Sequence, residues 1–328
     1  MTRQRILRGA SALALTTTLA AAGCATSHAY GSGGVSGTSS TSSTSSTSGA
    51  PAASRVPNDP NAKQWIQLFN GRDLNDWQIK FAKHDLGDNF NDTFRVENGM
   101  LEVRYDKWTK FDGEFGHIFY KRPFSYYLVA AEYRFVGHQA PGAESLAWAN
   151  RNNGIMIMGQ SAESMGHDQD FPMSLEVQLL GGLSDGKARP TGNLCTPGTN
   201  VHFGDTLITR HCTNSTSKTY DGDVWVRVEA LVLGDSIIKH IVEGDTVLVY
   251  RKPEMGGGAA NNMKPGVKVD GTPISSGTIS LQAETAPIDF RKVELLDLEG
   301  CTDPKASNYK RYFVKSDPAS CTYAGARP

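Results

Sequence analysis

Between Phe94 and Leu298 the chain is cut into short apolar runs by tight-turn signals, a pattern that points to an antiparallel β fold. In FPMSLEVQLLGG, Phe171 to Gly182, residues Leu175, Val177 and Leu179 fall on one side, and Ser174, Glu176 and Gln178 on the other. A period of two over this length is a strand with one face in a core. Comparable runs predict strands at 94–103, 126–135, 154–158, 175–180, 224–233, 236–242, 246–250, 278–283 and 290–298. Glu97-Asn98-Gly99, Leu233-Gly234-Asp235 and Glu243-Gly244-Asp245 read as hairpin turns. No long helical period, no βαβ alternation and no repeat at the roughly 20–50-residue spacing of solenoids is present. The 34 glycines and a charged fraction of only 20 % suit a turn-rich globular chain. The expected fold is all-β: an antiparallel β-sandwich of jelly-roll type, one domain over residues 59–299.

What precedes that domain reads as export and tethering. Arg3, Arg5 and Arg8 form a basic start, and Ile6 to Ala22 is mostly small and apolar, too short and Thr-rich for a good membrane span. Ala21-Ala22-Gly23-Cys24 resembles a bacterial lipobox, with Ala21 where Leu is usual. The resemblance implies cleavage before Cys24 and lipidation of that residue. The alternative is an ordinary secretory signal with an unpaired cysteine beside it. Residues 25–58, rich in Ser, Thr and Gly, read as a flexible tether. The chain is thus expected to be exported and held by an N-terminal lipid in a bacterial envelope, at the outer membrane or periplasm. The formal net charge of −1 gives no reason to expect nucleic acid as a partner.

Four further cysteines, Cys195, Cys212, Cys301 and Cys321, suit an oxidising compartment. Three pairings exist; nearest-neighbour pairing closes two short local loops and is the expected one. Cys195 with Cys212 would staple a polar insertion that follows the Glu176 strand and walls one end of a groove. Cys301 with Cys321 would bound a small separate unit, residues 300–328, in which Asp303, Asn308 and Asp317 cap turns or hold a cation.

WIQLFNGRDLNDWQ, then NNGIMI, SLEVQLLGG, SIIKHIVEGD and TISLQAETAPIDFRKVEL closely resemble the 3-keto-disaccharide hydrolases (DUF1080) over about Gln64 to Leu298. The resemblance implies a concanavalin-like jelly roll of two curved sheets. It also implies a carbohydrate partner: a glycoside whose sugar carries a ketone at C3. That ketone acidifies the C2 proton, so a base can form an enolate and the C1 oxygen can leave by β-elimination. Water adding to the enone completes a net hydrolysis. The site then needs a base, a donor at the enolate oxygen and an acid at the leaving oxygen.

Strand parity nominates the residues. Glu176 shares a face with Gln178, and Glu284 with Gln282. If both strands lie in the concave sheet, the four line one groove. The other reading is a solvated sheet face. His240 sits mid-strand beside Lys239, and the two point to opposite faces. His240 or Glu176 is the candidate base, and Glu284 completes the catalytic set. Arg151, Asn153, Gln178, Lys239, Gln282 and His117 are candidate substrate ligands. No cofactor is assigned, although His167, Asp168 and Asp170 keep a divalent cation open. The expected function is cleavage of 3-keto-glycosides. The alternatives are a non-catalytic carbohydrate-binding module and a conventional glycoside hydrolase using Glu176 and Glu284.

Overall fold

The computed structural model describes residues 58–323; the leader, Cys24 and nearly all of the tether lie outside them. Nearly all of the described strands belong to two sheets, and every pairing within those two sheets is antiparallel. The larger has ten strands. Its centre is Ile237–Val242, Val226–Leu233, Tyr126–Phe135 and Ile288–Asp297, in that order. The smaller has seven: Cys212–Thr213, Asn193–Cys195, Leu175–Leu180, Asn152–Gly159, Thr278–Ala283, Gly116–Tyr120 and Trp77–Phe81. The two apolar faces meet in one core. Val129, Ala131, Val228 and Val293 from the larger sheet join Leu175, Val177, Leu179, Ile155 and Leu281 from the smaller, each at most 1 % exposed. This is the expected β-sandwich of jelly-roll type.

Local chemistry explains why the runs become these strands. Asn98 and Gly99 have φ of 51° and 75°, and Glu243 and Gly244 have 50° and 89°. Two consecutive positive φ values give the turn whose twist matches its flanking strands. In LFNGRDLNDW, the Asn70 side-chain oxygen accepts from the backbone N–H groups of Arg72 and Asp73 at 2.8 and 3.0 Å. The Trp77 indole N–H then donates to the Leu68 carbonyl at 3.0 Å, closing the motif on itself. The strand Gly116–Tyr120 went unpredicted because every one of its residues is buried, so it has no polar–apolar alternation to read.

The outer faces of the two sheets differ. On the larger sheet, charges are paired: Arg227 meets Glu132, Glu229 and Glu294, and Asp289 lies between Arg104 and Arg134. On the smaller sheet, the outward side is roofed by loops. Phe119 there packs on Ala162 and Met165, and Lys80 donates to the carbonyls of Phe81, His84 and His167. Glu176, on this same side, is only 5 % exposed, so the face is not the solvated one that parity alone allows.

Both disulfides join nearest neighbours, Cys195–Cys212 and Cys301–Cys321, with sequence separations of 17 and 20. In the tail, Asp303 accepts from the Lys305 N–H and Asp317 from the Ala319 N–H, so both close turns, whereas Asn308 ties two distant parts of the tail together, accepting from the Thr322 N–H and donating to the Ser320 carbonyl. The tail is tied back to the start of the body: Lys310 Nζ donates to the Asp59 carbonyl at 2.9 Å and the Arg311 N–H to that of Pro60 at 2.9 Å. A loop of this size is worth roughly 3 kcal/mol of unfolded-state entropy. Replacing Cys301 and Cys321 together by Ser is expected to lower stability by about 2–4 kcal/mol in denaturant titrations. An unchanged midpoint would mean that the tail unfolds independently of the body.

Candidate active site

Four adjacent strands of the smaller sheet turn one set of side chains away from the core. Register places them side by side: Glu176 is opposite Met156, Gly154 opposite Gln178, and Gln282 opposite His117. Asn152, in step with Gly154, takes the same side, and Glu284 follows Gln282 by two residues. A Cβ on Gly154 would meet Glu176 Oε1 at 2.5 Å and its Cγ at 2.6 Å. Glycine at that position is therefore the space in which the Glu176 carboxyl lies.

Apart from Gln178, the polar side chains of this set are buried, and several of their polar atoms have no partner among the described residues. Both ring nitrogens of His117, both amide atoms of Gln282, Asn152 Oδ1, Glu176 Oε1 and Glu284 Oε2 are all left without a hydrogen bond. Each such group costs of the order of 1–3 kcal/mol, so a run of them on one face is a strong departure from ordinary packing. Glu176 and Glu284 open into a cavity of about 200 Å³ whose other walls are Trp148, Phe171, Pro197 and His211. Phe115 and Phe171 pack at 4.8 Å, and the His117 ring stands edge-on to Phe171 at 6.0 Å.

The electrostatics follow from burial. Desolvation pushes the Glu176 carboxyl up to about 8. It also raises Glu284 well above the usual carboxylate range, and the charge of Glu176 adds to the rise. Two such carboxyls do not both ionise readily, so the pair favours a state in which one carries a proton and the other does not. Burial also holds His117 at about 3, so it is a neutral imidazole.

The backbone holds Glu284 in place. Its neighbour Thr285 has φ of 99°, a costly value for a β-branched residue. The Thr285 N–H donates to the Tyr105 hydroxyl at 2.8 Å, and its Oγ1 accepts from Gln139 Nε2 at 3.0 Å. The stapled insertion contributes Pro197 and His211, and the Thr196 N–H donates to the His211 carbonyl at 2.8 Å beside the disulfide.

Several expected ligands lie elsewhere. His240 faces the core, 0 % exposed, and cannot be the base. Its Nδ1 lies 2.9 Å from the Gly192 carbonyl, which only accepts, so Nδ1 carries the proton. Its Nε2 therefore accepts from the Tyr250 hydroxyl at 2.8 Å. Burial holds this imidazole down at about 4. Lys239, on the opposite parity, faces outward from the larger sheet. Asn153 turns to the core side and is spent on backbone: its amide donates to the Gln282 carbonyl at 2.6 Å and its oxygen accepts from the Gly154 N–H at 3.0 Å. Arg151 pairs with Asp223 and lines a separate open recess of about 520 Å³ with Asn150, Leu183 and Gly222. Gln178 shares the face of Glu176, but its oxygen accepts from Asn193 Nδ2 at 3.0 Å; like Gln282 and His117, it does not itself line the cavity.

His167, Asp168 and Asp170 do not converge. His167 and Asp168 pair with each other, while Asp170 accepts from Asn261. The one compact donor cluster found among the described residues is Cys195, His211 and Cys212, whose sulfurs are bonded to each other.

Reading the residues alone missed Trp148, Phe171, Pro197, His211 and Asn152. Parity applied to 152–159 selects Asn152 over Asn153, because Asn152 stays in step with Gly154. The loop residues carry no periodic signal.

A carboxyl raised by burial stabilises the fold while protonated. Between its unfolded value, near 4.5, and about 8, the folded chain keeps a proton that the unfolded chain has lost, so stability falls as pH rises through that window. Glu176→Gln has no such proton. Between about pH 5 and 9 the wild-type melting temperature should therefore fall more steeply than that of Glu176→Gln. Parallel curves would contradict a buried, protonated Glu176.

No curated protein matches the chain. Its fold is similar to a candidate glycosyl hydrolase of Parabacteroides distasonis (13 % identity, 71 % of this chain and 99 % of that one, TM-score 0.43). It is also similar to a Bacillus subtilis protein of unknown function with a galectin-like fold (9 % identity, 74 % and 98 %, TM-score 0.39). A third likeness is to the Bacillus licheniformis β-glucanase (11 % identity, 73 % and 100 %, TM-score 0.38). Identities and scores this low carry no argument about function. The model of the 3-keto-alpha-glucoside-1,2-lyase-like domain matches residues 64–296, which include all four strands of the site. The chain belongs to the family of 3-keto-alpha-glucoside-1,2-lyase-like domains.

Proposed function

We propose that the protein cleaves 3-keto-glycosides by abstracting the C2 proton and eliminating the C1 oxygen. The observation that carries this reading is the row of buried, unpartnered polar atoms beside a cavity holding two carboxyls raised by burial. A sugar ring offers the missing partners: hydroxyls and a carbonyl oxygen.

Glu176 is the base. Burial raises its carboxyl to about 8, and once Glu176 is ionised its charge helps to keep the proton on Glu284. Its carboxylate takes the C2 proton, and the C–H electron pair forms the C2–C3 enolate. The unpartnered Gln282 amide and neutral His117 ring, on the same sheet face though not in the cavity lining, are the donors proposed for the enolate oxygen. Collapse of the enolate forms the C1–C2 double bond and breaks the C1–oxygen bond. Glu284 gives its proton to the departing oxygen. The products are an alcohol and a 2-hydroxy enone; water adding at C1, with a proton returned to C2, makes the sum a hydrolysis. The ketone does what strong acid assistance does in ordinary glycoside cleavage, which suits a site with neutral donors.

Cys24 and the two disulfides support an exported, lipid-anchored placement for this activity.

The test is turnover on matched substrates. Wild-type protein should release sugar from a 3-keto-α-glucoside and leave the unoxidised glucoside intact. kcat/KM should rise with pH along a limb near 8, and Glu176→Gln should lose at least about 100-fold. Cleavage of the unoxidised glucoside at a similar rate would favour a conventional glycosidase. Binding of both without turnover of either would favour a carbohydrate-binding module.

A further inference from the structure

The cavity has an unusual rim. Of the five tryptophans, only Trp148 is largely exposed, at 51 %. It is nonetheless a wall of the cavity that holds Glu176 and Glu284. Its indole lies 6.2 Å from the Phe115 ring at a tilt of 32°, and Phe115 in turn packs on Phe171 at 4.8 Å. A half-exposed indole at the mouth of such a cavity is a surface on which the C–H face of a sugar can stack.

The turn that carries Trp148 is fixed. Ala147–Ala149 is a single 3-10 turn. Gln139 Nε2 donates to the Leu146 carbonyl and to Thr285 Oγ1, both at 3.0 Å. Thr285 Oγ1 also reaches the Ala149 carbonyl at 3.4 Å. The backbone of the turn that carries the indole is thus tied to the residue that follows Glu284. Stacking on a surface already in place loses little entropy to ordering.

Space decides which ring it takes. The cavity, about 200 Å³, has room of the order of one hexose. The ring that loses its C2 proton must occupy it, because the carboxyls lie there. The sheet closes the floor, so the departing oxygen and whatever it carries leave through the rim. We propose that Trp148 is a specificity residue that stacks on the leaving sugar, making the protein selective for 3-keto-disaccharides over 3-keto-glycosides of small alcohols. This rests on the function proposed above for the same cavity.

The experiment compares Trp148→Ala and Trp148→Phe with wild type on two substrates: methyl 3-keto-α-glucoside and the 3-keto form of an α-linked glucosyl-glucose. Trp148→Ala should raise KM for the disaccharide about ten-fold more than it raises KM for the methyl glycoside. Trp148→Phe, which keeps a ring, should recover most of the loss. Equal losses on both substrates would place Trp148 at the reacting ring or in the fold and overturn the proposal, as would no loss on either. If wild type cleaves neither substrate, the proposed reaction fails. Calorimetry with the same two compounds then decides this inference: a ten-fold, disaccharide-only weakening in Trp148→Ala supports it, and equal affinities overturn it.

Discussion

Two carboxyls buried together, with no ion pair to either among the described residues, set the terms for everything around them. Burial raises both Glu176 and Glu284, and the charge of Glu176 adds to the rise at Glu284. Elsewhere the chain treats buried acid conventionally: Asp289, 1 % exposed, is gripped by Arg104 and Arg134. A fold that can pair one buried carboxylate so well, yet leaves two others unpaired in a cavity, holds them at a cost that stability alone does not repay.

The surrounding structure shows how that cost is contained. The seven-stranded sheet is fastened to the core by its other face, through Leu175, Val177, Leu179 and Leu281, all 0 % exposed. A rigid apolar underside lets the upper side carry unsatisfied groups without collapsing onto them. Gly154 gives Glu176 its space, and the strained Thr285 is held by Tyr105 and Gln139. The Cys195–Cys212 staple closes the segment that supplies Pro197 and His211. Sheet, glycine, strained residue and disulfide thus converge on one cavity from separate parts of the chain.

Much of this could be read from the residues, for identifiable reasons. Where one face was apolar and the other polar, as in 175–180 and 278–283, alternation located both the strand and the side to which Glu176, Gln282 and Glu284 point. Parity also narrowed His240 and Lys239 to opposite faces, but it could not say which face of that strand met the core. The answer lay in a partner 48 residues away, the Gly192 carbonyl that His240 holds. Asn153 and Arg151 were chosen by chemical type, and their side chains prove to be spent on backbone and on Asp223. The aromatic rim could not be read because loop residues have no period, and Trp148 meets Phe115 through the fold alone.

The central claim is that these carboxyls move a proton at C2, rather than displace an oxygen at C1. It is tested most directly by cleaving a 3-keto-α-glucoside in deuterium oxide. The released keto sugar is examined by NMR at early times, against a control for exchange without protein. The account predicts deuterium at C2 of the product, formed at the rate of cleavage. Cleavage that leaves the original hydrogen on C2 would contradict it.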